Sequence, residues 1–314
     1  MQSIITESLQ EILKQQSLSL PGKTKSSLQP VVYTSDGLLE KLPKLRGEEK
    51  GWPWDDQVDP KTYNEEIPWP KLTIVMPSFN QGAFIEQTIR SVLLQNYPNL
   101  EFIIIDGGST DCTVQILEQY SPWISYWQSE KDNGQGHAIN IGFGMASGDY
   151  YAWINSDDYY TKNTFSLVMA AFKQKGVAFV YGHSANFTVA TKTLQKVTVQ
   201  PLLDFFIRIP ILQQPACFWI KTIHQPVWED LQCSMDYELW LRMVKGKKKR
   251  RLPHILAIAN VHDEAKTSSA KMGLSWRKDH ELICSPEAHG PVYHWDLLIF
   301  LNRIYLKLIS VFEK

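Results

Sequence analysis

The stretch Tyr151-Ala-Trp-Ile-Asn155-Ser156-Asp157-Asp158 ends an apolar run in two adjacent carboxylates, with no basic residue close by in sequence. Carboxylate oxygens are hard ligands that suit Mg²⁺ or Mn²⁺, and such ions keep positions open for water or phosphate oxygens. A diphosphate is the natural third partner. Asn, Ser and Asp also favour turns and helix caps for local reasons, so the meaning of the stretch depends on the other strand ends around it.

Two further apolar runs stop in the same way. Leu72 to Met76 gives way to Pro77-Ser78-Phe79-Asn80, and Phe102 to Ile105 gives way to Asp106-Gly107-Gly108-Ser109. In open α/β sheets, ligands sit beyond the carboxyl ends of the strands. Glycines after Asp106 let backbone approach a flat ligand, and a carboxylate there can accept hydrogen bonds from a base N–H or a ribose hydroxyl. The three ends together suit a nucleoside diphosphate plus a metal. No G-x-x-x-x-G-K-[ST] loop occurs. The glycines at 134, 136, 142, 144 and 148 run through a predicted helix rather than joining a strand to one, which removes the dinucleotide-loop reading.

The elements that must position these residues follow from periodicity. From Lys71, apolar strands alternate with helical patterns, the signature of a largely parallel sheet covered on both faces. Strands are expected at 72–76, 102–105, 123–127, 150–154, 177–181, 216–220 and 252–259, with a hairpin across 184–199. Helices are expected at 84–93, around 114–117, and at 135–146, 164–175, 202–209 and 236–244. Residues 1–20 read as a short amphipathic helix, and 21–70 as an irregular arm. The arm's Trp52, Trp54 and Trp69, each beside a proline, should lie on the body, because so many indoles would otherwise be exposed. Residues 268–314 read as helical.

With 314 residues, 44% of them hydrophobic, the chain can bury a large core as one elaborated domain or two. Lys plus Arg total 32 against 33 Asp plus Glu, so no global field points to nucleic acid. The basic run Lys245 to Arg251 reads as a solvated loop, with an anionic-lipid or phosphate patch as its sharper meaning. Cys112, Cys217, Cys233 and Cys284 form no C-x-x-C pair, which fits a reducing cytoplasm. Met1 to Leu20, interrupted by Glu7, Glu11 and Lys14, lacks the pattern of a signal peptide.

The runs Ile74 to Asn80, Gln95 to Pro98, Ile105 to Asp111, Gly134 to Asn140 and Asn155 to Asp158 resemble, in order, the nucleotide-sugar half of family 2 glycosyltransferases. Met235 to Arg242 resembles that family's acceptor-side motif, so the likeness spans roughly residues 71–265. It implies an α/β GT-A fold, with a mostly parallel central sheet flanked by helices. The nucleotide-sugar half would be 71–160 and the acceptor half 161–265, between an N-terminal arm (1–70) and a C-terminal helical tail (266–314).

The resemblance also implies a metal-dependent, inverting transfer from a nucleotide-diphosphate sugar, UDP being the commonest carrier, to a saccharide or lipid-linked hydroxyl. Polysaccharide or glycolipid synthesis at the inner face of a membrane would be the setting. Carried over residue by residue, it places Pro77, Ser78, Asn80, Asp106, Gly107, Gln135, Asn140 and Asn155 at the nucleotide sugar. Asp157, Asp158 and His262 would hold Mn²⁺ or Mg²⁺, with Asn155 where many relatives carry an acid. Asp236 is the implied general base, with Glu238 as the substitute; the local alternative for Asp236 is a helix N-cap. Gln213, Gln214, Pro215 and Trp219 would line the acceptor side, unless Trp219 simply packs in the core. A nucleotidyltransferase should carry a basic phosphate loop where Pro77 to Asn80 stands. A catalytically inactive nucleotide-sugar-binding protein is the other alternative. Finally, Leu298, Leu301, Tyr305, Leu308 and Phe312 follow helical spacing, with Asp296, Arg303 and Lys307 among them. Such a tail packs on the catalytic domain or lies at a surface, as a dimer contact or on a membrane.

Overall fold

The structure, a computed structural model, describes residues 7–19, 28, 31, 34–45, 47–63, 66, 68–209, 212–262 and 273–312. Helix α1 (Leu9–Ser19) precedes the arm, and the apolar runs then pair into a sheet. Strands β1 (Leu72–Ser78), β2 (Leu100–Asp106), β3 (Tyr126–Ser129) and β4 (Tyr150–Trp153) alternate with α2 (Ile85–Leu93), α3 (Thr113–Tyr120) and α4 (Gln135–Met145). The pairs β1–β2, β2–β3 and β1–β4 are all parallel. Every residue of β1 and β2 is buried, which is why they read as continuous apolar runs rather than alternating ones. Helix α4 lies so close to β1 that a Cβ on Gly142 would fall 2.5 Å from Val75 Cγ1. Ser78 stands opposite Asp106, and Asp106 opposite Ser129, so three strands end at one edge.

The second half is mixed. After β5 (Asp158–Tyr160) and α5 (Thr164–Phe172) come β6 (Val177–Thr188), β7 (Thr193–Val197), β8 (Cys217–Ile220), α6 (Met235–Met243) and β9 (Lys248–Val261). The strand order is β3-β2-β1-β4-β8-β6-β9-β5, with β7 on β6. Strand β8 is antiparallel to β4 and β6, β5 to β9, and β7 to β6, while β6 and β9 are parallel. Three strands of the mostly parallel sheet therefore run against the rest: β8, where its two halves join, and β5 and β7 in the second half.

Several elements differ from the sequence expectation for identifiable reasons. The strand expected at 123–127 starts later, at Tyr126, because Ser121-Pro122-Trp123 forms a 3₁₀ turn. The expected helix at 202–209 is a single turn, Asp204–Phe206, held by Asp204 to Gly246 N and Lys249 Nζ at 2.9 and 2.5 Å. The basic run is not a free loop. Lys248 to Arg251 open β9 and pair with β6, where regular backbone bonding overrides an unfavourable composition.

The arm does lie on the body. Arg90 on α2 is almost fully buried and donates to Pro53 O (3.1 Å), Trp54 O (2.6 Å), Pro43 O (3.3 Å) and Tyr120 Oη (3.1 Å). Trp52 Nε1 reaches Tyr160 O at 2.7 Å, and Val58 and Tyr63 are buried. Arg90→Ala would strand these carbonyls, and we expect a loss of about 3 kcal/mol or more, read as a lower Tm. An unchanged Tm would show that the arm is not clamped through Arg90.

The tail forms α7 (Gly273–Ile283) and α8 (Trp295–Phe312); residues 263–272, the end of the expected acceptor half and the start of the expected tail, lie outside the described ones. Leu9 N bonds Glu287 O at 3.0 Å, so α1 meets the turn between these helices. Among the described residues, no helix is long and apolar enough to cross a membrane.

Candidate active site

The loops after β1 and β2 are stitched together. Asn80, with left-handed backbone (φ 52°), donates its N–H to Ser109 Oγ at 2.7 Å, and its Oδ1 accepts from Thr110 N at 2.9 Å. Asp111 accepts from Gly82 N and Thr113 N at 2.8 and 2.9 Å. Asp106 is fully buried and spends its carboxylate inside the loop. It accepts from Gly108 N (3.2 Å), Ser109 N (2.8 Å), Ser109 Oγ (2.5 Å) and Ser129 Oγ (2.6 Å). Three of these bonds fall on Oδ2 and one on Oδ1, which leaves acceptor capacity on Oδ1. Asp106 thereby shapes the Gly107-Gly108 turn, where Gly108 needs φ +82°.

The carboxylate facing that turn is one the sequence reading missed. A Cβ on Gly107 would meet Asp132 Oδ2 at 3.1 Å. Asp132 is half-exposed, and burial pushes its pKa up. Beside it, Pro77 and Ser78 are buried at the end of β1, and Ser78 Oγ has no hydrogen-bond partner among the described residues. An orphaned buried hydroxyl at a strand end is the kind of group a ligand satisfies.

Asn155 Oδ1 accepts from Gln135 Nε2 at 2.7 Å, and its Nδ2 donates to Asp158 Oδ2 at 3.3 Å. An acid at 155 would set a second carboxylate against Asp158, which gives the asparagine a physical reason. Asp157 Oδ2 lies 3.2 Å from His262 Nε2, and that imidazole stacks on Phe84 at 4.4 Å. Asp157 and His262 thus meet directly. Asp158 does not join them. It is buried, its pKa is raised by that burial and then by the charge on Asp157, and it turns to Asn155. No cluster of three His, Cys, Asp or Glu ligands occurs among the described residues. An Asp–His pair still fits an ion that takes one or two protein ligands and fills the rest of its shell from phosphates and water.

Asn140 is tied to a loop of the second half. It donates to Val227 O and Glu229 Oε1 at 2.9 and 2.7 Å and accepts from Val227 N at 2.8 Å. Its amide holds the 227–229 loop, with His137 gripping the same Glu229 at 2.9 Å.

Asp236 lies in the first turn of α6, and Ser234, not Asp236, occupies the N-cap position. Burial lifts its pKa to about 6, with its own and Tyr237's backbone N–H groups pulling the other way. Its charge is felt at Cys217, the first residue of β8. Because β8 runs antiparallel to β4, Cys217 lies toward the carboxyl end of β4, the end that carries Asn155 to Asp158. Glu238, the alternative base, is committed. His289 Nε2 and Arg242 Nε bond it at 2.9 and 2.6 Å, and these contacts hold its pKa below the usual range despite burial. Gln214 is buried and donates to Trp153 O at 2.7 Å, leaving its Oε1 without a partner among the described residues. Trp219 is core, packed against Trp153, Trp240 and His224. Half-buried Gln213 only precedes this set.

A model of glycosyl transferase family 2 matches residues 73–222. An uncharacterised glycosyltransferase of Mycobacterium tuberculosis is 39% identical over 179 residues, 55% of this chain and 68% of that protein. This chain belongs to glycosyltransferase family 2. An uncharacterised glycosyltransferase of Rickettsia typhi is 27% identical over 231 residues, 69% of this chain and 71% of the relative. The putative colanic acid biosynthesis glycosyl transferase WcaA of Escherichia coli is 28% identical over 188 residues, 56% of this chain and 66% of its own length. Among solved structures, S. aureus TarS aligns with a TM-score of 0.54 at 20% identity, over 74% of this chain and 43% of that one. Its 1–349 fragment in complex with UDP-GlcNAc gives 0.51 at 18%, over 69% and 67%. The GT-A fold of the glycosyltransferase is thereby shown.

The matched interval ends before Asp236 and the tail, so their part in the glycosyltransferase is read from geometry. Buried Asp279 on α7 accepts from Gln232 N, Cys233 N and Ser234 N at 3.1, 2.7 and 2.8 Å, fixing the approach to Asp236. An acidic residue on an amphipathic helix gave no sequence signal for this. Asp279→Ala leaves three N–H groups unanswered. We expect a stability loss of at least about 2 kcal/mol, with transfer falling more than donor affinity. A variant melting like the parent would remove Asp279 from this role.

Proposed function

We propose that this glycosyltransferase moves a sugar from a nucleoside-diphosphate donor to a hydroxyl acceptor by a single inverting displacement, with residues 71–160 serving the donor and 161–265 the acceptor. The observation that carries the reading is the placing of two unlike acids toward one end of β4. Asp157 is paired with His262 at 3.2 Å, and Asp236 carries a pKa raised to about 6.

Gly107, Ser78 and Asp132 offer a surface, a hydroxyl and a carboxylate to the nucleoside, with Asn80, Gln135 and Asn155 holding the surrounding loops. Asp157 and His262 would hold a divalent cation, Mn²⁺ or Mg²⁺, which when bound neutralises charge on the departing diphosphate. Asp236 takes the proton from the acceptor hydroxyl as that oxygen bonds the anomeric carbon and the carbon–phosphate-oxygen bond breaks. Glu238 and Asp158 are engaged by their partners, which leaves Asp236 to act alone and favours one step over two. The complex of TarS with UDP-GlcNAc makes UDP-sugars the first donors to try, and the colanic acid relative favours a polysaccharide or glycolipid acceptor.

A calorimetric screen of UDP-, GDP- and dTDP-sugars with Mn²⁺, followed by NMR of the product anomer, tests this. Binding of one donor class and an inverted product are expected. Retention of configuration would overturn the single displacement.

A further inference from the structure

Helix α8 has two unlike sides. One is seated: Tyr305 donates its hydroxyl to Pro201 O at 2.9 Å and lays its ring on Phe206 at 5.4 Å. The other carries Leu297, Phe300, Ile304 and Leu308 at helical spacing, each between 41 and 58% exposed. The seated side prevents the helix from turning this stripe inward.

Beside the seated side lies a second exposed apolar bend. Phe206 is preceded by Leu203 and Phe205, the latter 62% exposed, on either side of Asp204. Asp204 binds Lys249 Nζ at 2.5 Å and Gly246 N at 2.9 Å, which ties the bend to the basic turn. Lys245 and Lys247 in that turn and Lys248 and Arg250 at the start of β9 are exposed, as are Arg303 and Lys307 on α8 itself, with Asp296 the acid at its first turn. Trp276, Tyr293 and Trp295 are exposed around the start of the helix. So many large apolar side chains left in water along one helix and its flanks mark a contact site.

We propose that this face rests on a bilayer carrying anionic headgroups, with α8 lying in the interface plane. The apolar stripe would enter the acyl boundary, the lysines and arginines would meet phosphates, and the indoles and phenol would sit at headgroup depth, where such rings are favoured. Asp296, Arg303 and Lys307 make the helix too polar to span. A second copy of the chain fits the charge less well, since a two-fold contact sets each cationic patch near its own image. The face also borders a cavity of about 500 Å³ lined by Trp276, Trp295, Arg208, Ser234 and Tyr237, the last two close to Asp236 in the chain. The membrane is thereby brought to the acceptor side. That consequence rests on the glycosyl-transfer reading; the surface itself does not.

Vesicle sedimentation of the full chain, without donor, tests the surface. Binding to phosphatidylcholine vesicles containing phosphatidylglycerol is expected, with little to phosphatidylcholine alone. Lys245→Ala/Lys247→Ala/Lys248→Ala should weaken binding roughly 100-fold, at about fivefold per lysine. Phe300→Glu/Ile304→Glu should abolish it with the circular dichroism spectrum unchanged; if that variant misfolds, the lysine variant decides. Equal binding to both vesicle types, binding to neither, or a lysine variant that binds like the parent overturns the proposal. A dimer by light scattering that binds no vesicles assigns the face to a second copy. Because no donor is present, failure here leaves the transfer reading intact.

Discussion

Asp236→Asn should cut sugar transfer by roughly 10²-fold or more, the scale of losing a positioned general base, while donor affinity stays within a few-fold of the parent. The amide keeps the size and half-burial of the side chain but cannot take a proton. The raised pKa adds a second signature. Asp236 must be ionised to act, so with its pKa near 6 the parent's kcat/KM should fall on the acid side, by about tenfold per pH unit below that value. The Asn variant should lose this limb. Stopped assays of nucleotide release across pH 5 to 8 read both, and equal losses in donor affinity and turnover would make Asp236 structural.

The second large effect concerns Asp157. Its carboxylate faces His262 at 3.2 Å, and a donor diphosphate arriving there without a cation would bring negative charge against Asp157. Asp157→Asn should therefore reduce donor binding at least about 10-fold and turnover further, and EDTA should abolish turnover in the parent. Calorimetry with and without Mn²⁺ separates the two. Full-rate transfer in excess EDTA would rule out the cation.

The strand ends of the donor half were legible because β1 and β2 are buried on both faces, so each apolar run stops visibly where its polar loop begins. Strand β5 was not, since Asp158-Tyr-Tyr160 is only three residues long and is a strand only because β9 pairs with it. Strand β6 read as two pieces because register shifts on either side of His183 interrupt its pattern against β9. At the site, residue type alone could not tell a ligand-facing group from one spent inside. Asp106 and Asn140 stand out in the sequence by type alone, and only the fold shows that they also hold Ser109, Ser129 and the 227–229 loop. Asp132 and Asp279 gave the converse error, because their meaning lies in neighbours distant in the chain, Gly107 and the N–H groups of 232–234.

The central claim, that the edge beyond β1, β2 and β4 holds a donor through a cation at Asp157 and His262, is tested most directly by a crystal structure with a UDP-sugar and Mn²⁺. Anomalous difference density is predicted between Asp157 Oδ2, His262 Nε2 and both phosphates, with the uracil near Gly107 and Asp132 and the anomeric carbon facing Asp236. A nucleotide bound elsewhere, or bound in that cleft with no anomalous peak beside Asp157, would contradict it.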